Sequence, residues 1–190
     1  MVDIKTQKLL YHLTSMENIA SIIKSGLLPR DQLDQFEDVA DGEILESRGS
    51  YNLQNYVPFH FFTKNPFDGV VQKKYKDKKF ALITVRRTVA ERNGWKIIPR
   101  HPLANGNPEL LDFKEGIESI DWGLMNQRDY HDDDSKSVCM AECLSNEPVL
   151  LNYFFKIYVC CKESQEMIEQ VVKTAAVEVD VSVNKNMFVS

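Results

Sequence analysis

The segment "KLLYHLTSMENIASIIKSGLL" (8–28) contains the most complete pattern of local structure in the chain. Residues 8–14 have the composition of a short strand, and Thr14 and Glu17 have the spacing of a capping box at a helix start. Apolar residues then recur at helical spacing, and Gly26 is placed to end the helix. We predict a strand, a cap with Thr14 as the N-cap residue, and a helix that ends at Gly26.

The rest of the chain alternates short strands with short helices. The tail "AVEVDVSV" (176–183) alternates with period two and predicts an edge or half-buried strand. Neither repeats nor a linker interrupt the pattern, which indicates an α+β domain with a mixed sheet over residues 1–190. Further predicted strands lie within 55–67, 79–87, 95–99 and 149–161, helices near 87–93, 111–127 and 164–174, and loops at 30–55 and 128–136.

Charge is distributed unevenly along the chain. The net charge is −5, yet residues 64–100 contain eleven Lys and Arg residues against three acids. A basic face on an acidic protein can steer an anionic ligand. For "QKKYKDKK" (72–79) alone, the favoured interpretation is a solvated hairpin tip.

Composition also limits the compartment and the kind of site. No apolar run reaches the roughly 18 residues that span a bilayer, and the N-terminal residues lack the apolar stretch of a signal peptide, so we expect a cytoplasmic protein. The four cysteines form C-x3-C and a vicinal pair, with His131 the nearest histidine. This spacing does not match a zinc site, and we predict reduced thiols and no metal.

Four polar residues lie within apolar or acidic surroundings: His12, Arg48, His60 and Glu142. Taken singly, each has a structural interpretation: a core histidine, a salt-bridge arginine, a histidine packed among aromatics, and a surface acid. We interpret His60 as structural. The sequence contains no Walker loop, nucleophile elbow, dinucleotide fingerprint or HExxH motif.

Taken together, six segments resemble the DarT-type family of DNA ADP-ribosyltransferases. They occur in the family's order and extend over nearly the whole chain. The segments are "LYHLTSMENIASIIKSGLL" (10–28), "ILESRGSYNL" (44–53), "YVPFHFFTKNPF" (56–67), "SIDW" (119–122), "CMAECL" (139–144) and "VSVNKNMFV" (181–189).

The resemblance implies an ADP-ribosyltransferase fold, a split mixed sheet with short helices around a cleft that holds NAD. It implies that Glu142 is the catalytic glutamate, that Arg48 lies by the NAD phosphates or the reacting centre, and that His12 and Thr14 contact the nicotinamide ribose. Tyr11, like Phe59, is a candidate wall for the nicotinamide. Residues 31–55 are implied as the NAD-covering loop and 128–138 as the substrate-recognition loop.

The implied activity is transfer of ADP-ribose from NAD to a base in single-stranded DNA, with release of nicotinamide. The implied context is a toxin whose antitoxin is a macrodomain-type ADP-ribosyl hydrolase. Related sequences carry a basic run before the catalytic segment, whereas this chain reads "HDDDSKSVC" (131–139). The candidate nucleic-acid contacts are therefore Lys136 and, from the basic segment, Arg86, Arg87, Arg92 and Lys96.

Two alternatives stay open from the sequence. The acidic loop at 131–134 suits an ADP-ribosyltransferase that acts on protein better than one that acts on DNA, and RNA is a further alternative substrate. A catalytically silent NAD-binding module is the other alternative, although retention of Glu142, His12 and Arg48 argues against it.

Overall fold

The fold is built on one mixed β-sheet. The computed structural model describes residues 3–34, 36–38, 49, 51–102 and 108–189. The described strands form an eight-stranded sheet in the order β5-β4-β6-β2-β1-β3-β7-β8. Their bounds are β1 Leu9–Ser15, β2 Val57–His60, β3 Phe80–Arg86, β4 Lys96–Ile98, β5 Leu111–Asp112, β6 Glu142–Ser145, β7 Phe154–Val159 and β8 Val181–Val183.

Short helices cover the sheet on both sides. The described α-helices are α1 Ile19–Ser25, α2 Pro66–Lys74, α3 Arg87–Arg92, α4 Phe113–Ser119, α5 Trp122–Gln127, α6 Asp133–Val138 and α7 Lys162–Ala175. Neighbouring strands are antiparallel, except that β8 pairs with β7 in parallel. The predicted edge strand in the tail is thus present, as β8. No helix in the described ranges has the length and apolarity required to cross a membrane.

Strand β1 lies at the centre of the sheet and sends alternate side chains to two cores. Leu10 lies in the larger core with apolar residues of α1, α3, α5 and α7. Leu13 lies on the other face, where it packs with Val71 of α2 and with Phe188 near the chain end. Both faces of β1 are therefore covered, and its position in the molecule is fixed by packing on each side.

The predicted helix cap is displaced by one residue. Strand β1 continues through Ser15, and the Ser15 hydroxyl accepts from the Glu17 backbone N–H at the start of a 3-10 turn, Met16–Asn18. Thr14 is a strand residue, because its backbone pairs with Ala81 of β3. The prediction that Thr14 is the N-cap is wrong, although the helix and its end at Gly26 are present.

Gly26 is required by both its conformation and its surroundings. Its φ is +79°, in the region that favours glycine, and a Cβ there would lie 2.6 Å from the carbonyl oxygen of Val149. The following residue, Leu27, forms an isolated antiparallel bridge with Val149. A side chain at position 26 would therefore separate the end of α1 from the segment before β7.

Two segments predicted without helix contain one. The strand expected at 55–67 ends at His60, and Asn65 caps α2 by accepting from the Asp68 N–H, with Pro66 at the first helical position. Asn65-Pro66 therefore starts a helix, and proline suits this position because the first N–H of a helix has no partner within the helix. In the predicted polar loop at 128–136, Asp132 likewise caps α6.

Candidate active site

The sheet splits between its two central strands. Strands β1 and β3 pair along their whole length, from Leu9↔Arg86 to Ser15↔Phe80. Strands β1 and β2, by contrast, pair at Tyr11↔His60 alone among the described residues. Because β1 and β2 diverge beyond this pair, a cleft opens between them, and it receives side chains from both faces of the sheet.

The two halves of the cleft come from alternate positions of the strands. His12 and Thr14 of β1 line it from one face. His60 and Glu142 lie directly opposite each other on β2 and β6, in register with Tyr11, and they line the cleft from the other face. The structure therefore brings together His12, His60 and Glu142, three of the four polar residues noted in the sequence, from strands far apart in the chain.

Glu142 occupies the first position of β6 and is 6% exposed. Its backbone is fixed on both sides, because it pairs with His60 of β2 and with Ile98 of β4. The imidazole Nδ1 of His60 donates to the carbonyl oxygen of Ala141 at 3.2 Å, and the ring lies 5.6 Å from the ring of Phe67. A buried carboxylate is thus held at a defined position in the cleft wall.

His12 connects the two diverging strands. Its Nδ1 lies 2.8 Å from the carbonyl oxygen of Pro58, and since a carbonyl only accepts, Nδ1 is the protonated nitrogen. Burial lowers the pKa of His12 to about 4, while the bond to Pro58 acts in the opposite direction. The imidazole is therefore neutral near pH 7 and keeps Nε2 as a hydrogen-bond acceptor.

Asn18 holds a short segment over the cleft. Its Nδ2 donates to the carbonyl oxygen of Glu37 at 3.0 Å and its Oδ1 accepts from the Glu37 N–H at 2.8 Å. The same Nδ2 lies 3.3 Å from Oγ1 of Thr14. Residues 36–38 line the cleft, so Asn18 joins β1 to the described part of the predicted NAD-covering loop.

Arg30 places a permanent positive charge at the cleft wall. Its guanidinium pairs with the carboxylate of Asp38 and lies 4.9 Å from the centre of the Phe36 ring. Arg48, which the sequence assigned to the NAD phosphates and the reacting centre, lies outside the described residues. Arg30 is therefore the described cation that can meet an anionic ligand in the cleft.

The side chain of Gln54 contributes a buried hydrogen-bond acceptor to the cleft. It lines the cleft from the 3-10 turn Leu53–Asn55, and its side-chain Oε1 is buried with no partner among the described residues. Leaving a buried acceptor without a donor costs about 1–3 kcal/mol. A ligand that supplies an N–H or O–H at this point would recover that cost.

Two aromatic residues predicted as nicotinamide walls lie elsewhere. Tyr11 packs with Leu13 and Val71 in the core of the other sheet face and does not line the cleft. Phe59 is fully buried and stacks on Trp95 at 5.1 Å between ring centres. Packing explains both positions, because each ring is held in a core beside the cleft and not in the cleft itself.

The sequence also missed residues that the fold brings to the cleft. His60, interpreted as structural, lines it beside Glu142. His101 lines it from the segment after β4, where its N–H donates to the carbonyl oxygen of Ser137 at 2.7 Å. Only His60 carried a usable signal, since it lies on the strand that pairs with the Glu142 segment. The other residues, which are Asn18, Arg30, Gln54 and His101, lie in or beside irregular segments.

Arg87 is not available to nucleic acid, which corrects its assignment. The residue is 9% exposed, and its guanidinium donates to the carbonyl oxygens of Ile4, Lys5, Leu9 and Phe61 at 3.0–3.3 Å. Burial lowers its pKa to about 10, so the group stays charged near neutral pH. Arg87 fastens the start of β1 to the residue that follows β2, at the closed end of the split.

The other predicted nucleic-acid contacts are separate from one another. Arg86 stacks on Phe155 at 4.2 Å and Lys96 pairs with Asp112, while Arg92 is exposed at the end of α3. Lys136 is exposed on α6, next to the Ser137 carbonyl that holds His101. Of these cations, Lys136 is the one connected to the cleft.

The cysteines act as packing residues near Glu142. Cys139 and Cys143 are buried thiols, and burial raises the pKa of Cys139 to about 11 and that of Cys143 further. Within the described ranges, no group of three or more His, Cys, Asp or Glu side chains is arranged to hold a metal ion. Among the described residues, the carboxylate, imidazole and guanidinium groups that line the cleft are the carboxylates of Glu37, Asp38 and Glu142, the imidazoles of His12, His60 and His101, and the guanidinium of Arg30.

Comparison with known proteins assigns this cleft to a family. The family model "DarT: ssDNA thymidine ADP-ribosyltransferase, DarT" matches residues 11–189. The chain belongs to the DarT family. The match includes β1, β2 and β6, the strands that border the cleft, and it confirms the family to which the sequence segments pointed.

A curated DarT relative comes from Thermosipho africanus (strain H17ap60334). It is named a DNA ADP-ribosyl transferase-DNA ADP-ribosyl glycohydrolase fusion protein, and it is 24% identical over 186 residues. The alignment covers 90% of this chain and 47% of the relative. The chain thus spans about half the length of the curated relative that it matches.

Solved DarT structures have the same fold. Thermus sp. 2.9 DarT in complex with ADP-ribosylated ssDNA is similar at a TM-score of 0.81 with 15% identity, covering 96% of each chain. Thermus sp. 2.9 DarT in complex with NAD+ gives 0.79 at 15% identity over 97% and 98% of the two chains. Thermosipho africanus DarTG in complex with ADP-ribose gives 0.76 at 24% identity, over 96% of this chain and 51% of that one. The predicted α+β fold is confirmed.

Proposed function

We propose that this chain transfers ADP-ribose from NAD+ to thymidine in single-stranded DNA and releases nicotinamide. The observation that carries the proposal is the position of Glu142, a buried carboxylate held beside His60 where β1 and β2 split, in a chain of the DarT family. A single-stranded substrate suits this cleft, because a base stacked in a duplex hides its reactive atoms.

The reaction needs one well-placed carboxylate. The C–N bond between the ribose and nicotinamide breaks, and nicotinamide leaves as a neutral molecule with the bonding electrons. Positive charge develops on the ribose, and the Glu142 carboxylate stabilises it through the ribose hydroxyl that it contacts. A ring atom of thymine then forms the new bond to the ribose carbon and loses its proton, so that the products are ADP-ribosyl-thymidine, nicotinamide and a proton.

The remaining cleft residues are proposed to bind NAD+. Arg30, with Arg48 outside the described residues, would offset the pyrophosphate charge, and the phosphates would replace Asp38 as the partner of Arg30. His12 offers Nε2 as an acceptor to a ribose hydroxyl, and Thr14 lies on the same face of β1. Gln54 would accept from a donor of NAD+ at its buried Oε1.

The acidic run before Glu142 has a structural explanation and does not oppose a DNA substrate. The Asp132 carboxylate accepts from the Ser135 N–H at 2.7 Å, and Asp133 and Asp134 lie in the first turn of α6, where negative charge is favourable. Asp134 also lies 3.7 Å from Arg100. These acids stabilise a helix start, and the argument for a protein substrate that rested on them is weakened.

The proposed setting is a toxin in the cytoplasm, where both NAD+ and DNA are present. The curated relative joins a transferase to a DNA ADP-ribosyl glycohydrolase in one chain. By this analogy, we propose that an ADP-ribosyl hydrolase of the macrodomain type is the partner that reverses the modification. Co-expression would test the pairing, because the hydrolase should restore growth to cells that produce this chain.

The proposed function is tested with NAD+ labelled in its adenylate half. The polymers are single-stranded DNA with thymidine, the same DNA with cytidine in place of thymidine, its duplex form, RNA and protein. We expect label on the first polymer, together with released nicotinamide. Label on RNA or protein would overturn the substrate, and NAD+ binding without nicotinamide release on any polymer would indicate a silent binding module.

A further inference from the structure

The lysine-rich run at residues 73–79, which reads "KKYKDKK", lies at the open end of the split sheet. It immediately precedes Phe80, the first residue of β3, and Phe80 pairs with Ser15 at the end of β1 that borders the cleft. Met16, which follows Ser15, donates its backbone N–H to the carbonyl oxygen of Lys79 at 3.0 Å. The run is therefore adjacent to the cleft, although the sequence favoured a solvated hairpin tip.

Helix α2 connects the cleft to this run. Phe67, in the first turn of α2, lines the cleft with its ring 5.6 Å from that of His60. Val71 packs the helix against Leu13 in the core of the same sheet face. Lys74 ends the helix seven residues after Phe67, a rise of about 10 Å along the axis.

The lysines of the run divide into two groups. Lys78 bonds to the carboxylate of Glu37, which lines the cleft, and Lys79 bonds to Glu163 of α7. Lys73, Lys74 and Lys76 are exposed side chains on the outer surface. The first group ties the run to the cleft and to α7, and the second group presents positive charge to solvent.

Tyr75 lies within this positive surface. Its ring is half-buried, with the ammonium groups of Lys74 at 5.2 Å and Lys78 at 5.8 Å from its centre. An aromatic ring between cations is the combination that binds single-stranded nucleic acid, because bases stack on the ring while phosphates meet the charges.

We propose that Lys73, Lys74 and Lys76 bind the phosphates of single-stranded DNA next to the base that enters the cleft, and that a neighbouring base stacks on Tyr75. This inference rests on the proposed function and identifies the surface that holds its substrate. At a spacing of about 3.4 Å per stacked nucleotide, the rise of α2 corresponds to about three nucleotides. The contacts are thus made by phosphates roughly three nucleotides from the modified thymidine, on one side of it.

The predicted contacts at Arg86, Arg92 and Lys96 are less suited to this role. Arg86 ends β3, six residues after Phe80, which places it about 20 Å from the open end. Arg92 lies on α3, which directly follows this end of β3. Lys96 pairs with Leu144 of β6, on the open-end side of Glu142, but its ammonium group is bonded to the Asp112 carboxylate. Arg86 and Arg92 are therefore farther from the open end than residues 73–76, and Lys96 is already bonded to an acid.

The test compares two triple variants on oligonucleotides that carry one thymidine and flanks of increasing length on either side. One variant combines Lys73→Ala, Lys74→Ala and Lys76→Ala. The control combines Lys24→Ala, Lys114→Ala and Lys173→Ala, three exposed cations elsewhere on the chain, so that both variants lose the same charge. The readouts are KM and kcat for label transfer, and the dependence of oligonucleotide affinity on salt.

We expect the KM of wild type for the oligonucleotide to fall when one flank exceeds about three nucleotides. The lysine variant should not show this decrease, so its KM on long substrates should be higher than that of wild type on the order of tenfold. The slope of log affinity against log salt concentration should decrease by about 2 in the lysine variant, since each of the three lost phosphate contacts contributes about 0.7 in a single strand. On the shortest substrate, and for the control variant, kcat and KM stay at wild-type values.

The outcomes separate this proposal from the one on which it rests. A lysine variant with the KM and salt slope of wild type on long substrates overturns the proposed surface, while transfer by wild type leaves the function intact. The same holds if the control variant loses as much affinity, because the effect is then one of net charge. If wild type transfers label to none of the oligonucleotides, the proposed function itself is overturned. In that case the oligonucleotide affinities of the two variants still test the proposed surface.

Discussion

The two ends of strand β3 carry cations of the same basic segment in opposite surroundings. At the Phe80 end, beside the cleft, Lys73, Lys74 and Lys76 are exposed. At the Arg86 end, where β1 and β2 still pair, the next residue is Arg87, which is buried and bonded to four backbone carbonyls. The closed end uses positive charge to hold the strands together, and the open end leaves it accessible.

This difference shows why local excess charge does not by itself mark a binding surface. Residues 64–100 have an excess of basic residues in sequence, yet strand β3 separates those at its two ends by about 20 Å. The Arg87 guanidinium uses its N–H groups to bond four backbone carbonyls. It therefore stabilises the fold, and those N–H groups are not available to a phosphate. We therefore expect the cleft and the closed end to respond differently to substitution.

The largest effect is expected at the open end, at Glu142. The Glu142→Gln variant keeps the size and the strand position of the side chain and removes its charge. We expect kcat for ADP-ribose transfer to fall by roughly 10²–10³, with the melting temperature close to that of wild type. Turnover of the Gln variant at the wild-type rate would contradict the assignment of Glu142, and circular dichroism supplies the check on folding.

At the closed end, Arg87→Met is expected to lower the free energy of unfolding by about 3 kcal/mol, because several buried carbonyls lose their donor. The matched control is Arg92→Met on the same helix, where the side chain is exposed and the loss should be small. Chemical denaturation measures both. If Arg87→Met unfolds like wild type but loses DNA affinity, then Arg87 binds substrate, and the distinction between the two ends fails.

His12 gives a pH-dependent prediction. Its pKa of about 4 in the folded protein lies below the ordinary histidine value of 6.5, so the stability that the neutral form contributes is present above pH 6.5 and is lost as the pH falls towards 4. Between pH 7 and pH 5, wild type should lose about 2 kcal/mol relative to His12→Gln, which does not titrate. Urea unfolding at both pH values measures the difference, and the exposed His131→Gln control should retain the full loss.

The smallest effect is expected at Gln54. The Gln54→Leu variant removes the buried acceptor, so the ligand-free protein should melt no lower than wild type, whereas KM for NAD+ should rise about five- to tenfold with the loss of one hydrogen bond. Gln32→Leu, exposed on the neighbouring 3-10 turn, is the control. A lower melting temperature with an unchanged KM would show that Gln54 is structural.

The sequence could predict what depends on local pattern. The unit from β1 to Gly26 was readable from apolar spacing and a glycine stop, and His12 and Glu142 were readable from their place in the family's segments. The exact cap was not, because Thr14 and Ser15 are equivalent cap residues and the choice between them depends on how far β1 pairs with β3.

The rest depends on contacts between distant segments. Nothing next to Arg87 in sequence indicates that it will meet the carbonyls of Ile4 and Phe61. His60 reads as one more residue in an aromatic run until its register with Glu142 is known. Such positions are set by strand order, which local propensity does not determine.

The most direct test of the account measures nicotinamide and modified DNA in the same reaction, on a single-stranded oligonucleotide that contains one thymidine. We expect one nicotinamide released for each ADP-ribose found by mass spectrometry on that thymidine, and loss of both in Glu142→Gln. Nicotinamide release without modification of the thymidine, or modification that persists at the wild-type rate in Glu142→Gln, would contradict it.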